Sequence, residues 1–477
     1  MINKIKITLF SLIVGIFVVG CSDDDDSVSA NNCGTYFTAY AEYQTNVENG
    51  TATAADCVTA TTTLQDWCSE GCESADESDP ICNDDFTGMD EAMITALCAL
   101  QFPDDGGGSD DLTTYEFTSR FQNTSSVKYT GQTVRNLLIR DIKGNVADGV
   151  TAAELLVFYD NSDATAEIAT SSSYDADQTL YHDISTSNLS GKIASSSFDF
   201  DPGNVIGYDM TPDALVNAWF TTAESEGQET SDGVNVSQMV AKGLAAMVAY
   251  YQATSVYFHP NKLDVADNTV SANDEYGYTS MEHYWDESFG YFGASVDYLN
   301  LSNTNQRGAY DTDESGSIDY KTEYNFDWAA YAAKRDDCTG CDHDGSFAST
   351  IMGAYIDGRE AITAGGGVSS YDPHRMTIVN TWEKVVAANI VHYANSVQED
   401  IASGSSDLNK HWSEMRAFGL ALQFNYYKVI SDTDLTEMIT LMGNAPSSDV
   451  SYVDTMEQVK TMIGEVYMFT ANDLANW

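Results

Sequence analysis

The residues of this chain whose types and spacing could do chemistry are concentrated between Thr279 and Asp344. Within DTDESGSIDYKTE, Asp311, Asp313, Ser315, Gly316, Ser317, Ile318 and Asp319 fall on positions one, three, five, six, seven, eight and nine of an EF-hand-type loop. There, oxygens converge on a hard cation and glycine permits the sharp turn. Position twelve, where such a loop places a bidentate glutamate, is Thr322; Glu323 stands one residue late, and a slightly longer loop brings it in. The spacing predicts a calcium ion in a structural role, tying down the following helix that carries Trp328 and Lys334. An ordinary acidic turn ahead of a helix is the plainer alternative.

Upstream, EHYWDESFG sets His283, Asp286 and Glu287 at i, i+3 and i+4, so that an imidazole and two carboxylates share one helical face, with Glu282 beside them. Such a face suits a transition metal such as iron or zinc, or a buried histidine held by a carboxylate. His283, Glu287, His411 and Glu414 are the candidate transition-metal ligands, with His374, Glu383 and His392 as further candidates on a neighbouring predicted helix. Downstream, Cys338 and Cys341 flank Thr339 and Gly340 in an acidic setting with no preceding strand, which predicts a tight structural disulfide; a zinc site with His343 would be short of ligands. There is no His-Glu-x-x-His, Gly-x-Ser-x-Gly, Gly-x-x-x-x-Gly-Lys or dinucleotide fingerprint. Carboxylates are so abundant that a pair suited to glycoside hydrolysis could be picked out anywhere, and tyrosine, at 28 residues, serves a contact surface or helix packing equally well.

The elements that position these residues belong to an acidic globular chain. At 477 residues with 43% hydrophobic content, core size is not limiting and disorder is excluded. A formal charge of −52 excludes nucleic acid as a partner and suits a soluble protein in a salty or calcium-containing medium. Lys4 and Lys6 precede the apolar run ITLFSLIVGIFVVG, too short for a spanning helix and read as a signal peptide over residues 1–20. The junction at Cys21 resembles the lipobox of bacterial lipoproteins, which implies acylation of Cys21. Asp23 to Asp26, in an acidic tether over 21–32, resemble the surface-export signal of Bacteroidota lipoproteins, which implies an outer-membrane lipid anchor facing outward.

Nine cysteines minus Cys21 leave an even set. Cys33, Cys57, Cys68, Cys72, Cys82 and Cys98 lie in one short segment, so residues 33–100 are expected to form a small disulfide-stapled helical module whose pairing sequence cannot choose; no histidine lies there to favour zinc. Residues 101–112 have linker composition. From 113 to 477 the chain reads as a large all-α, multi-helix bundle body. Apolar residues recur at i, i+3, i+4 and i+7 in runs beginning near Thr151, Thr211, Val236, Met376, His411 and Val453. Start signals stand at Thr211-Pro212-Asp213 and at Asp372-Pro373 ahead of Arg375. Between Asp160 and Gly207 the pattern weakens into a long irregular insertion, with short strands expected around TLYHDI and SFDFD.

SSVKYTGQTVRNLL, EHYWDESFGYFG, the acidic glycine loop, NFDWAAYAAKRD, WEKVVAANIVHYAN and HWSEMRAFGLALQF together resemble an uncharacterised Bacteroidota surface-lipoprotein family, a domain of unknown function loosely associated with imelysin-like proteins. The resemblance spans Tyr115 to Phe424. Imelysin-like proteins carry Gly-x-His-x-x-Glu; His411 and Glu414 match its second half, and Asn409 stands where the glycine should be. The resemblance implies non-enzymatic capture or handling of a metal or metal-containing nutrient at the outer membrane, in company with a receptor or nutrient-uptake complex. A metal-dependent, peptidase-like hydrolase and a calcium-stabilised adhesion or structural protein are the alternatives.

Overall fold

A computed structural model of the protein describes residues 57–63, 112–343 and 345–477. The signal peptide, Cys21, the acidic tether, the cysteines of the stapled module other than Cys57, and residues 101–111 of the linker lie outside the described residues. The chain divides into two compact units, Met1–Ser109 and Asp110–Trp477. In the first, residues 57–63 are helical, with Cys57 buried and disulfide-bonded.

The second unit is a mostly helical, multi-helix bundle with very little strand. Its helices begin where short polar side chains satisfy the free backbone N–H groups of a first turn. Thr151 and Glu154 form a reciprocal cap on α2 (Ala152–Tyr159), which follows α1 (Thr130–Ala147). Thr211 accepts from the Ala214 N–H at the start of α3 (Pro212–Glu226), with Pro212 at the first helical position. Thr279 and Glu282 cap α5 (Ser280–Phe292) in the same reciprocal way. Between them, α4 (Val236–Leu244) runs on into two π-helical segments, Ala245–Tyr250 and Gln252–Tyr257. The i→i+5 spacing of a π-turn frees carbonyls, and the Trp328 indole N–H donates to that of Ala245 at 3.1 Å.

The C-terminal half supplies α6 (Asp327–Asp336), α7 (Phe347–Thr363), the long α8 (Val368–Ser403), α9 (Leu408–Ala421), α10 (Asp432–Met442), α11 (Ser451–Tyr467) and α12 (Ala471–Asn476). Helix α8 packs along α7, α9 and α11, while α4 packs on α1 and α9. The core between them is aromatic-rich: Trp285, Trp382, Trp412, Tyr250, Tyr291 and Tyr355 are fully buried. Burial on this scale, at roughly 25 cal/mol per Å² of apolar surface, is the main force holding the bundle.

Several expected boundaries move. Helix α8 starts at Val368, so Pro373 sits inside it rather than ahead of it. The run from His411 leaves the α-helix at Ala421 and passes through a 3-10 turn at Leu422–Phe424. The Ser255 hydroxyl then captures the backbone, donating to Phe424 O at 2.8 Å and accepting from the Tyr426 N–H at 2.7 Å. The run from Val453 breaks at Met468, in the left-handed region at φ 60°, and restarts at the Thr470–Asp473 cap. TLYHDI is a helical turn, Tyr181–Ile184, rather than a strand, because the Asp183 carboxylate accepts from the Thr179 and Leu180 N–H groups. SFDFD contributes only an isolated bridge between Ser197 and Phe200. The one sheet among the described residues pairs β1 (Asp175–Ala176) in parallel with β2 (Ser317–Ile318). It joins the irregular insertion to the acidic loop.

Candidate metal centre

The acidic loop is closed at its base by backbone pairing. Ala309 bridges Tyr324, the Tyr310 N–H donates to Glu323 O at 3.1 Å, and the Asn325 N–H donates to Gly308 O at 3.0 Å. That pairing makes the segment a hairpin-like excursion in which position thirteen, rather than twelve, returns to position one. Carboxylate oxygens of Asp311, Asp313 and Glu323 lie within 4.8 Å of one another, with Asp311 half-buried, Asp313 exposed and Glu323 buried. Among the described residues no other group of three or more His, Cys, Asp or Glu side chains gathers in this way.

Each of the three carboxylates is oriented by backbone. The Ser315 N–H donates to Asp311 Oδ1 at 3.0 Å and to Asp313 Oδ1 at 2.9 Å, and the Gly316 N–H donates to Asp311 Oδ2 at 2.9 Å. The bond from the Ser315 N–H holds the Asp313 carboxyl below the usual carboxylate range. Glu323 accepts from the Thr312 N–H at 2.8 Å and the Asp319 N–H at 2.9 Å, spanning the loop from end to end. Gly316 has φ 90°, a left-handed conformation that favours glycine and lets the turn reverse. The hydroxyl of Ser315 donates to Ser317 O at 3.1 Å, and Ser317 itself is held by Asp177 next to β1. Asp319 is not among the trio: its Oδ1 accepts from Gln178 Nε2 at 2.9 Å and from the Lys321 N–H at 3.0 Å. The candidate side-chain donors are therefore Asp311, Asp313 and Glu323, while Asp319 fastens the loop to the insertion.

The transition-metal candidates do not come together. His283 Nε2 lies 3.9 Å from Glu287 Oε2 on α5, the ring is stacked on Tyr278, and Glu287 also accepts from Gln132 Nε2 at 3.0 Å. Asp286 turns into the core instead, 2.8 Å from Arg359 Nε and 2.9 Å from the Tyr115 hydroxyl. His411 Nδ1 pairs with Asp400 at 2.7 Å, and Glu414 accepts from Lys242 Nζ at 2.9 Å. A turn of helix carries His411 and Glu414 toward different partners, so they form two separate pairs. Glu383 is fully buried and accepts from Val429 N–H, Ile430 N–H, Tyr467 Oη and Asn425 Nδ2. His392 is pushed down to about 3 by burial and by Arg335 and His411 nearby. His374 lies 4.0 Å from Asp357. Cys338 and Cys341 are disulfide-bonded, and His343 Nε2 lies 3.0 Å from Asp336 Oδ1.

A family described as Domain of unknown function (DUF4856) matches residues 113–470, most of the chain. The chain belongs to the DUF4856 family. Neither a curated protein nor a solved structure matches it. The matched span of this DUF4856 chain takes in the acidic loop, the α5 pair and the C-terminal helices alike.

Among the described residues of this family member, the buried ionic network on α5 and α7 gave no signal in sequence. Arg359, fully buried, donates to Asp286 and Ser126, and lies 3.2 Å from Glu282 Oε1, which Arg120 also approaches at 3.2 Å. Burial raises the Asp286 carboxyl above its ordinary value even with Arg359 alongside. The acidic face of α5 is thus divided: Glu282 and Asp286 neutralise a buried arginine, and only His283 and Glu287 remain toward the surface.

Proposed function

We propose that this protein is a surface-anchored binding lipoprotein whose helical body is stiffened by a calcium ion held in the loop from Asp311 to Glu323. The observation that carries the reading is the convergence of Asp311, Asp313 and Glu323 within 4.8 Å. Three carboxylates that close repel one another unless a hard cation neutralises them. The lipobox-like Cys21 and the acidic run after it support the anchor and the outward-facing outer-membrane location. Binding rather than catalysis is supported by how the deeply buried Glu282 and Glu383 are used, each occupied by structural donors. Capture of a metal-containing nutrient through His411 and Glu414, with an uptake complex as partner, draws on the imelysin resemblance alone; the calcium reading does not depend on it.

The test is thermal denaturation of the purified protein after exhaustive chelation and after calcium is restored. At a hundredfold excess over Kd, a bound ion contributes about 2.7 kcal/mol. Restoring calcium is therefore expected to raise Tm by a few degrees. Asp311→Asn and Asp313→Asn are each expected to reduce that rise. An unchanged Tm across chelation and restoration overturns the proposal.

A further inference from the structure

With 73 acidic against 21 basic residues, a cation in this chain has carboxylates to pair with in almost any direction. Three cations beside α5 nevertheless take other partners. Arg135 on α1 is 6% exposed and donates its Nε to Asn188 O at 2.7 Å. Lys192, half-buried at the end of the 3-10 turn Ser190–Lys192, donates its Nζ to the Tyr257 hydroxyl at 3.1 Å. Lys262, half-buried in the helical turn Pro260–Leu263, sets its Nζ 4.6 Å from the ring centroid of Tyr257 and 4.2 Å from that of Tyr284. None of the three forms an ion pair among the described residues. Charge taken from water without a counter-charge is costly, and contact with tyrosine rings offsets that cost only in part.

The Tyr257 ring joins them. Both ammonium groups stand within 5.4 Å of its centroid, and the Tyr291 ring lies beside it at 6.0 Å. Arg135 Cζ is in turn 5.9 Å from the Tyr291 centroid. Helix packing brings these groups together: α5 packs on α1 and on the π-helical segment that ends at Tyr257, and the turn Pro260–Leu263 packs on both α5 and that segment. On α5, Tyr284, Glu287 and Tyr291 recur at i, i+3 and i+7, which places them along one face. Tyr291 is fully buried, yet its hydroxyl has no hydrogen-bond partner among the described residues, a group that native folds rarely leave idle. Burial, with the Tyr291 hydroxyl and Glu287 adding to it, holds the Tyr257 hydroxyl far above its ordinary value. Burial lowers the Lys192 ammonium, and Arg135 and Lys262 lower it further. Glu287 is the carboxylate that faces the group, and it is engaged by Gln132 Nε2 at 3.0 Å and by His283 at 3.9 Å. Three cations thus share one committed carboxylate, and the half-buried Lys192, Lys262, Tyr284 and Glu287 open the cluster to solvent.

We propose that Arg135, Lys192 and Lys262, gathered around Tyr257 and Tyr291 where α5 meets α1 and the second π-helical segment, bind the oxyanion group of a small ligand. Carboxylate and phosphate share the chemistry this site recognises: delocalised negative oxygen that takes charge-assisted bonds from a guanidinium and ammonium groups, with the idle Tyr291 hydroxyl as a further donor. In a molecule of charge −52 the long-range field opposes an arriving anion, so affinity must come from these local groups rather than from steering. The inference stands independently of the calcium loop.

Isothermal titration calorimetry at low ionic strength, with inorganic phosphate and with succinate as separate probes and chloride as the ionic-strength control, tests it. Saturable binding of at least one probe is expected; phosphate alone marks a phosphate-bearing ligand, and succinate alone a carboxylate. Lys192→Met and Lys262→Met keep the apolar stem and remove the charge, and each is expected to bind at least about tenfold more weakly. The bound probe should also raise the melting temperature of the parent more than that of either variant, a response that a purely structural lysine would not produce. If one variant does not fold, the other decides. No saturable binding of either anion up to about 10 mM, or undiminished binding in a folded variant of either lysine, overturns the proposal.

Discussion

Glu383 shows what burial does to one side chain in this bundle. Its carboxyl is fully enclosed, and burial pushes it from 4.5 up to about 7 despite the donors from Tyr467, Val429, Ile430 and Asn425. In the unfolded chain the group loses its proton near the ordinary value, whereas in the folded chain it keeps it to about 7. The folded state therefore binds the extra proton across that interval. This contribution to stability is largest below 4.5 and declines as pH rises through about 7. The difference corresponds to about 3 kcal/mol. Urea denaturation at pH values spanning the interval should show this decline in the parent, and Glu383→Gln should remove most of it; equal slopes in the two proteins would contradict the assignment. Sequence placed Glu383 on a helix as a candidate ligand, but could not show that residues 425 to 467 supply its donors, because those contacts arise only from tertiary packing.

At the level of elements, what was readable was what local chemistry determines. Thr211 with Pro212, and the apolar spacing of α3, α5, α6 and α11, announce helices that the structure contains. Helix α7 was not readable, because Gly353 and Gly358 interrupt FASTIMGAYIDGREAIT as breakers would. Gly358 is there for a packing reason: a Cβ at that position would come within 2.1 Å of Trp285 Cζ2, where α5 crosses α7. The same indole donates its N–H to Tyr355 O at 2.9 Å, so it cannot swing aside cheaply. Gly358→Ala, favourable for an isolated helix by about 1 kcal/mol, should instead destabilise the protein by at least about 2 kcal/mol through overpacking. Chemical denaturation reads the sign directly. Helix α1 was obscured differently, by buried Gln132, Arg135, Asn136 and Asp141 that blur its apolar stripe. In the loop, the Asp311 and Asp313 spacing and the late Glu323 were legible, whereas the backbone pairing that returns Glu323, the bridge between Ala309 and Tyr324, was not.

For the molecule as a whole, the short parallel pairing of β1 with β2 has a reach out of proportion to its length. Asp175 and Ala176 are in register with Ser317 and Ile318, the Gln178 side chain grips Asp319, and the Tyr320 N–H donates back to Gln178 at 3.0 Å. The stretch between Asp160 and Gly207, poor in regular structure, thus borrows its order from the excursion that Asp311 opens and Glu323 closes. Limited proteolysis gives the consequence a readout: with chelator present, new cuts should appear together in both stretches, and restored calcium should suppress both. Cuts confined to one stretch would break the link. If the link holds, the chain finishes folding only once it meets calcium, and two stretches remote in sequence acquire protease resistance in a single step.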